Sequence, residues 1–284
     1  MKIIFFGTPE FSVPFLDALA SDPEIEILAV VTQPDKPVGR KQELTPSAVK
    51  MRAEVLGILV IQFPTLKTSE AKKRLATFGA DAFIVVAYGK LIPKIVLDLP
   101  QLGCINVHPS KLPQYRGPSP IQAVIEKGDR ETAVSIMLLD EGMDTGPILA
   151  QKSVEVLEDD TSPTLSNRLM QIGAPLLLET LKLYASGALK PIPQDGSKAT
   201  ITKLLDRDSG KIDLSEPAEL LERKIRAYTP WPATYTIIKH RGIDLRVKIL
   251  KARLVNGTLE LLVVQPEGGR IMNYDEFKRG YGSN

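Results

Sequence analysis

Asn106 and His108 stand two residues apart at the end of a short apolar run, Gly103-Cys104-Ile105-Asn106-Val107-His108. On an extended backbone that spacing puts both side chains on one face. Pro109 and Pro113 then end any regular element and open a loop. A second acidic group of residues, Asp140, Glu141 and Asp144, lies in a Gly-containing loop after another apolar run, Ala133 to Leu139. These residue types suit acyl or formyl transfer. An imidazole exchanges a proton near neutral pH. A side-chain amide donates to a developing oxyanion. A carboxylate orients the imidazole and stabilises its charged form. Plainer readings fit the same residues: a structural histidine, and a D-E-G-x-D loop that is only a turn. A calcium loop fits less well, because the acidic residues do not fill the EF-hand spacing.

The elements around these residues must bring them to one edge. Lys2 to Phe6 reads as a buried strand, followed by Gly7-Thr8-Pro9-Glu10 and a helix from Pro9 to about Ala20. One glycine at that turn falls short of the G-x-G-x-x-G fingerprint, so the opening is architecture and not a dinucleotide site. Further strands are expected at Ile25 to Thr32, Leu59 to Gln62 and Asp81 to Ala87, the last ending in Tyr88-Gly89. Helices are expected at Pro46 to Leu56 and Ser69 to Phe78, with a short one within 90–98. This alternation predicts an α/β fold with a Rossmann-like, mostly parallel sheet. Ligands of such sheets bind beyond the carboxyl ends of strands. A helix at Pro118 to Lys127, strands at Glu131 to Leu139 and Ile148 to Val156, and a long helix from Asp160 to Ser186 follow. Asp160 or Thr161 is the expected N-cap of that helix.

Residues 189–205, rich in Pro, Gly and polar residues, read as a linker between a first domain, 1–188, and a second, 206–284. The second domain opens with an amphipathic helix, Glu216 to Tyr228, stopped by Pro230-Trp231-Pro232, and continues as β strands. Basic residues gather there, and Arg246, Lys248 and Lys251 are candidates for one basic strand face; an ordinary solvated face is the plainer reading. Pro34, Pro37, Pro46 and Gly39 keep the segment from Gln33 to Lys50 out of helix and central strand. It reads as a surface loop carrying Lys36, Arg40 and Lys41.

At 284 residues, with 43% hydrophobic and 25% charged content, the chain has the composition of a two-domain globular protein. A net charge of +2 does not by itself mark a nucleic-acid binder. The one cysteine, Cys104, excludes an intrachain disulfide and reads as a small core residue. No apolar run approaches the ~18 residues of a membrane span. The expectation is a cytoplasmic, monomeric protein that makes no membrane contact, or the mature form of an organellar one.

The run Asn106-x-His108-Pro109-Ser110-x-Leu112-Pro113, then Arg116-Gly117-x-x-Pro120-Ile121, resembles the folate-dependent formyltransferases. Asp140-Glu141-Gly142-Met143-Asp144-Thr145-Gly146 resembles the same family. The resemblance implies that Asn106, His108 and Asp144 form the catalytic set and that 10-formyltetrahydrofolate is the formyl donor, with no metal. It implies a folate site bordered by Tyr88, Gly89, Ser110, Lys111, Leu112, Pro113 and Asp140. The segment Gln33 to Lys50 resembles the loop with which tRNA-acting members reach the acceptor end of initiator methionyl-tRNA. That implies RNA contacts by Arg40, whose planar fork suits phosphates and bases, with Lys36 and Lys41 beside it. Arg226-Ala227-Tyr228-Thr229-Pro230-Trp231-Pro232 resembles the start of the OB-like, tRNA-contacting domain of those members. Only Arg253 to Leu261 stands where their domain is longer, so an abridged barrel is expected. A formyltransferase acting on a small amine (a sugar nucleotide or purine precursor) and a non-catalytic folate- or RNA-binding module are the alternatives.

Overall fold

The computed structural model describes residues 1–38 and 42–281. Within them two compact units are found: residues 1–116, 133–154 and 167–200, and residues 117–132, 155–166 and 201 onward. In chain order the elements up to the long helix are β1 (Lys2–Gly7), α1 (Val13–Ser21), β2 (Glu26–Thr32), β3 (Lys36–Val38), β4 (Glu43–Thr45), α2 (Ala48–Val55), β5 (Val60–Gln62), α3 (Ser69–Ala76), β6 (Ala82–Val86), α4 (Lys94–Leu97), β7 (Cys104–His108), α5 (Pro120–Lys127), β8 (Glu131–Leu138), β9 (Ile148–Glu155) and α6 (Ser162–Ala185).

Seven of these strands form one sheet in the order β5-β2-β1-β6-β7-β8-β9. The pairs from β5 to β7 are parallel, and β8 runs antiparallel to β7. Continuous apolar runs such as Ile3-Ile4-Phe5-Phe6 have no solvent-facing side, as a sheet covered on both faces requires. Ile4, Phe6, Val31 and Phe83 pack against Ala71 and Leu75 of α3 and Val96 of α4. Phe6 centres this cluster, with the Phe83 ring at 5.3 Å and the Tyr88 ring edge-on at 5.5 Å. Side-chain caps start two of the helices: Ser47 accepts from Lys50 N and Thr68 from Ala71 N.

Two local expectations are adjusted. The first helix opens as a 3-10 turn, Glu10–Ser12, before α1 begins at Val13. Pro14 stands in the first turn of α1, where a missing N–H leaves no hydrogen bond unmade. The Pro-rich segment after β2 contains a two-stranded antiparallel ribbon, β3 with β4, separate from the main sheet. Proline is tolerated there because an isolated ribbon has free edges.

The second unit contains α5, then α7 (Ala218–Ala227), β10 (Thr234–His240), β11 (Ile243–Val255), β12 (Thr258–Pro266), β13 (Met272–Asn273) and α8 (Tyr274–Tyr281). Its strands form one antiparallel sheet in chain order. Leu221 and Ile225 of α7, Val247, Ile249 and Val264 of the sheet, and Phe277 of α8 make the core. Arg241-Gly242 and Asn256-Gly257 join the strands as two-residue turns with positive φ at both positions, the geometry that suits right-handed strand twist. The second turn connects β11 directly to β12. Among the described residues the sheet therefore has four strands, one fewer than the five-stranded OB barrel. Strict alternation would put Lys251 on the face opposite Arg246 and Lys248; the register of β11 shifts between Ile249 and Lys251, and the extra residue returns Lys251 to their side, opposite Val263 as Lys248 is opposite Gln265. Arg246 lies with its guanidinium carbon 3.4 Å from the centre of the Tyr235 ring.

In the first unit, Phe15 of α1 and Val134 of β8 meet Gly173 of α6 so closely that a methyl group on Gly173 would stand 2.9 Å from Phe15 and 3.1 Å from Val134. Both neighbours are buried and hemmed in. Gly173→Ala is expected to lower stability, since overpacking costs about 1–3 kcal/mol against a helix-propensity gain of about 1 kcal/mol. Thermal or urea unfolding checks it; an unchanged or raised midpoint would show that the Phe15 ring yields.

Candidate active site

β7 supplies two of the three expected catalytic residues. It pairs with β6 through Val85–Asn106 on one side and with β8 through Asn106–Met137 and His108–Ser135 on the other. Asn106 and His108 are both buried. Among the described residues the Asn106 side-chain amide has no hydrogen-bond partner, so its N–H groups remain available.

The His108 ring is held from both sides. Nε2 lies 3.0 Å from the Tyr115 carbonyl oxygen, and Nδ1 lies 3.6 Å from Asp144 Oδ2. A carbonyl only accepts, so Nε2 must carry the hydrogen. Proton exchange is then left to Nδ1, the nitrogen beside Asp144. The 3.6 Å separation is longer than a direct hydrogen bond. The structure thus brings together the three residues that the sequence proposed.

The loop after β7 is built to present the Tyr115 carbonyl. Ser110 is buried and its Oγ donates to Gln114 O at 2.6 Å. Ser135 of β8 donates to Ser110 O at 2.6 Å and accepts from Gln151 Nε2 at 2.8 Å, and the same Gln151 amide donates to Leu112 O at 3.1 Å. Tyr115 has φ +59°, and its N–H donates to Thr200 Oγ1 at 2.8 Å.

The Asp140–Gly146 loop is fixed in the same way. Asp140 Oδ1 accepts from Gly142 N at 3.0 Å and from Thr145 Oγ1 at 2.6 Å, an Asx turn with an added clasp. Gly146 passes so near Leu138 that a Cβ would stand 2.0 Å from the Leu138 carbonyl oxygen, a position only glycine can occupy. Asp144 has φ +53°, sparsely populated for a residue with a side chain. Its carbonyl accepts from Gln194 Nε2 at 2.9 Å. Sequence reasoning placed Gln194 and Thr200 in a linker and gave them no role; no local pattern signals pairings that span 50 to 85 residues.

The residues expected around the folate are placed differently from one another. Asp140 lines a cavity of about 620 Å³ together with Leu97, Cys104, Leu138, Leu139 and Gly142. The Tyr88 ring is a core member, with its hydroxyl buried and without a hydrogen-bond partner. Burial pushes that hydroxyl up to about 12. The Tyr88 carbonyl accepts from Thr8 Oγ1 and Gln33 Nε2, and Gly89 (φ +78°) turns tightly against Gln33. Ser110 and Leu112 are buried within the loop, Pro113 is half-buried and Lys111 is exposed. Of the expected RNA contacts, Lys36 donates to Gln33 Oε1 at 2.6 Å, while Arg40 and Lys41 lie outside the described residues.

Residues 1–181 match the family model described as formyl transferase, and residues 204–258 match that of the formyl transferase C-terminal domain. The chain belongs to the formyl transferase family. It is 42% identical to a methionyl-tRNA formyltransferase of Roseiflexus sp. (strain RS-1), over 99% of this chain and 92% of that one. Among solved structures, the methionyl-tRNA formyltransferase from Clostridium thermocellum superposes with a TM-score of 0.65 at 17% identity, covering 96% of this chain and 99% of that one. A sugar N-formyltransferase from Shewanella sp FDAARGOS_354 superposes with a TM-score of 0.69 at 20% identity, covering 90% and 99%. At these identities the two structures establish the formyltransferase fold and do not choose between acceptors.

Cys104 reaches the cavity wall from a buried strand, and burial pushes its thiol up to about 12. At pH 8 almost no thiolate exists to react. The native chain is expected to leave a disulfide reagent such as DTNB unconsumed at pH 8 over minutes and to release one equivalent per chain once unfolded. Rapid native labelling would show that the cavity opens around Cys104.

Proposed function

We propose that this formyltransferase moves the formyl group of 10-formyltetrahydrofolate onto the α-amino group of methionyl-initiator-tRNA, in the cytoplasm. The carrying observation is the His108 ring, locked by the Tyr115 carbonyl with Nδ1 turned to Asp144 and Asn106 on the same strand face. The near-full-length similarity to a methionyl-tRNA formyltransferase supports the choice of acceptor.

The geometry supports one role for each of the three. As the amine attacks the formyl carbon, negative charge develops on the formyl oxygen, and the unengaged Asn106 amide is the donor for it. The amine must lose a proton as its bond to carbon forms; His108 Nδ1 receives it and returns it to the leaving nitrogen of the folate. Asp144 stabilises the imidazolium in between. The 620 Å³ cavity is the proposed folate site. Within a mostly polar lining, Leu97, Leu138 and Leu139 offer apolar contact to a flat ring system, and Asp140 and Glu141 offer acceptors to the ring's donor edge. One loop serves both places: residues 140–142 line the cavity and Asp144 faces His108. In the proposed complex Lys36, Arg40 and Lys41, within the sequence from Gln33 to Lys50, meet the acceptor end of the RNA.

His108→Ala and Asp144→Asn are each expected to lower kcat by more than about a hundredfold. Asn106→Ala is expected to lose roughly 2.7–4 kcal/mol of transition-state stabilisation with folate affinity retained. Steady-state kinetics with labelled formyl donor and charged initiator tRNA, alongside folate titration, check all three; near-native turnover in the His108 variant removes the mechanism. In the same assay a sugar nucleotide or purine-precursor amine should accept no label, and efficient labelling of one would replace the RNA as acceptor.

Arg40→Ala tests the RNA assignment separately. It is expected to weaken kcat/KM for charged tRNA by about 1–3 kcal/mol, measured at a single salt concentration, with folate binding unchanged. Native values for both would leave the loop without a part in RNA recognition.

A further inference from the structure

We infer that Gln194 is a positioning residue for catalysis: its side-chain amide ties the loop after β7 to the loop bearing Asp144 and so sets the carboxylate against His108. The inference rests on the assignment of His108 and Asp144 to the chemistry.

Every hydrogen-bonding group of the Gln194 amide is used. Oε1 accepts from Arg116 Nε at 3.1 Å and from Arg116 Nη2 at 2.8 Å. Nε2 donates to the Asp144 carbonyl at 2.9 Å and to the Gly146 carbonyl at 2.7 Å. The two carbonyls flank the stretch in which Asp144 holds φ +53° and Gly146 is pressed against Leu138 O. A backbone in that region stays there only when its surroundings over-determine it. Gln194 supplies that constraint at the residue whose side chain must face Nδ1.

The other side of His108 is braced from the same segment. Thr200 Oγ1 accepts from Tyr115 N, and Thr200 O accepts from Arg116 N at 2.9 Å. Ile192 exchanges two backbone hydrogen bonds with Ile148, both 2.8 Å, which anchors the segment beside β9. Residues 192–200 therefore control both groups that grip the ring, the Tyr115 carbonyl and Asp144. Gln194 has the discriminating part, because it needs a donor pair and an acceptor on one side chain. Glutamate offers Arg116 an acceptor but turns an oxygen toward two carbonyl oxygens.

The test uses the full-length chain with 10-formyltetrahydrofolate and methionyl-initiator-tRNA, comparing Gln194→Met, Gln194→Glu, Arg116→Met, the Arg116→Met/Gln194→Met double variant and His108→Ala. Gln194→Met is expected to lower kcat about tenfold to hundredfold, the scale of a displacement of about 1 Å at a reacting group. KM for both substrates should stay within about twofold and the unfolding midpoint within a few degrees. Gln194→Glu should lose as much as Gln194→Met, and the double variant little more than either single one, as for residues acting as a unit. The inference is overturned if Gln194→Met keeps native kcat, if Gln194→Glu restores it, or if the loss falls on KM or on the unfolding midpoint instead. Turnover retained in His108→Ala would overturn the underlying assignment, a different result from an inactive His108 variant beside a fully active Gln194 one.

Discussion

The hydrogen bond from His108 Nε2 to the Tyr115 carbonyl determines which ring nitrogen is left for chemistry. Much of the first unit serves that contact. β7 must be extended and buried for the ring to project from its end, and it is, between a parallel and an antiparallel neighbour. The Tyr115 carbonyl must point back at the strand it has just left. Hydrogen bonds made by Ser110, Ser135 and Gln151 bend the loop to that shape, and Thr200 holds its far end. Each of these polar groups is satisfied inside the protein, so their desolvation does not weaken the arrangement.

The change of strand direction between β7 and β8 shapes the other half of the site. Because β8 is antiparallel, its carboxyl end at Leu138 lies beside Ile105, three residues before His108. A carboxylate placed directly at the end of β8 would miss the ring. The loop from Leu139 to Gly146 must instead travel back, which explains its Asx turn, its positive φ at Asp144 and its dependence on glycine. The same excursion makes the cavity wall, joining the proposed folate site to the proton-transfer side of the imidazole in one piece of backbone.

What could be read from the sequence follows from how local each cause is. Strands such as Ile3 to Phe6 declare themselves by apolar runs, and Asn106 with His108 by a two-residue period. Asn256-Gly257 declares the hairpin that shortens the second unit's sheet. The Tyr88 ring is harder to place: the resemblance sets it at the border of the folate site, while in the fold the ring turns into the core to pack on Phe6. Strict alternation separates Lys251 from Arg246 and Lys248; the register shift that returns it to their face, and the cation–π contact of Arg246 with Tyr235, are visible only in the fold. Gln194 and Thr200 were illegible for a simpler reason. A Pro-rich stretch looks the same whether it hangs in solvent or is bonded, as here, to loops 50 to 85 residues earlier. Only the three-dimensional pairing distinguishes the two.

That long sequence separation carries a consequence for the order of synthesis. Chains leave the ribosome amino end first and fold largely in that order. β7, the loop that follows it and the Asp140–Gly146 loop all emerge before either brace exists. A nascent chain that has reached Ser186 holds every residue proposed for the chemistry, yet lacks the Gln194 bond to the Asp144 carbonyl and the Thr200 bond to the Tyr115 N–H. The site is closed only when Thr200 has been made, so assembly of the centre is among the last events in building its own unit.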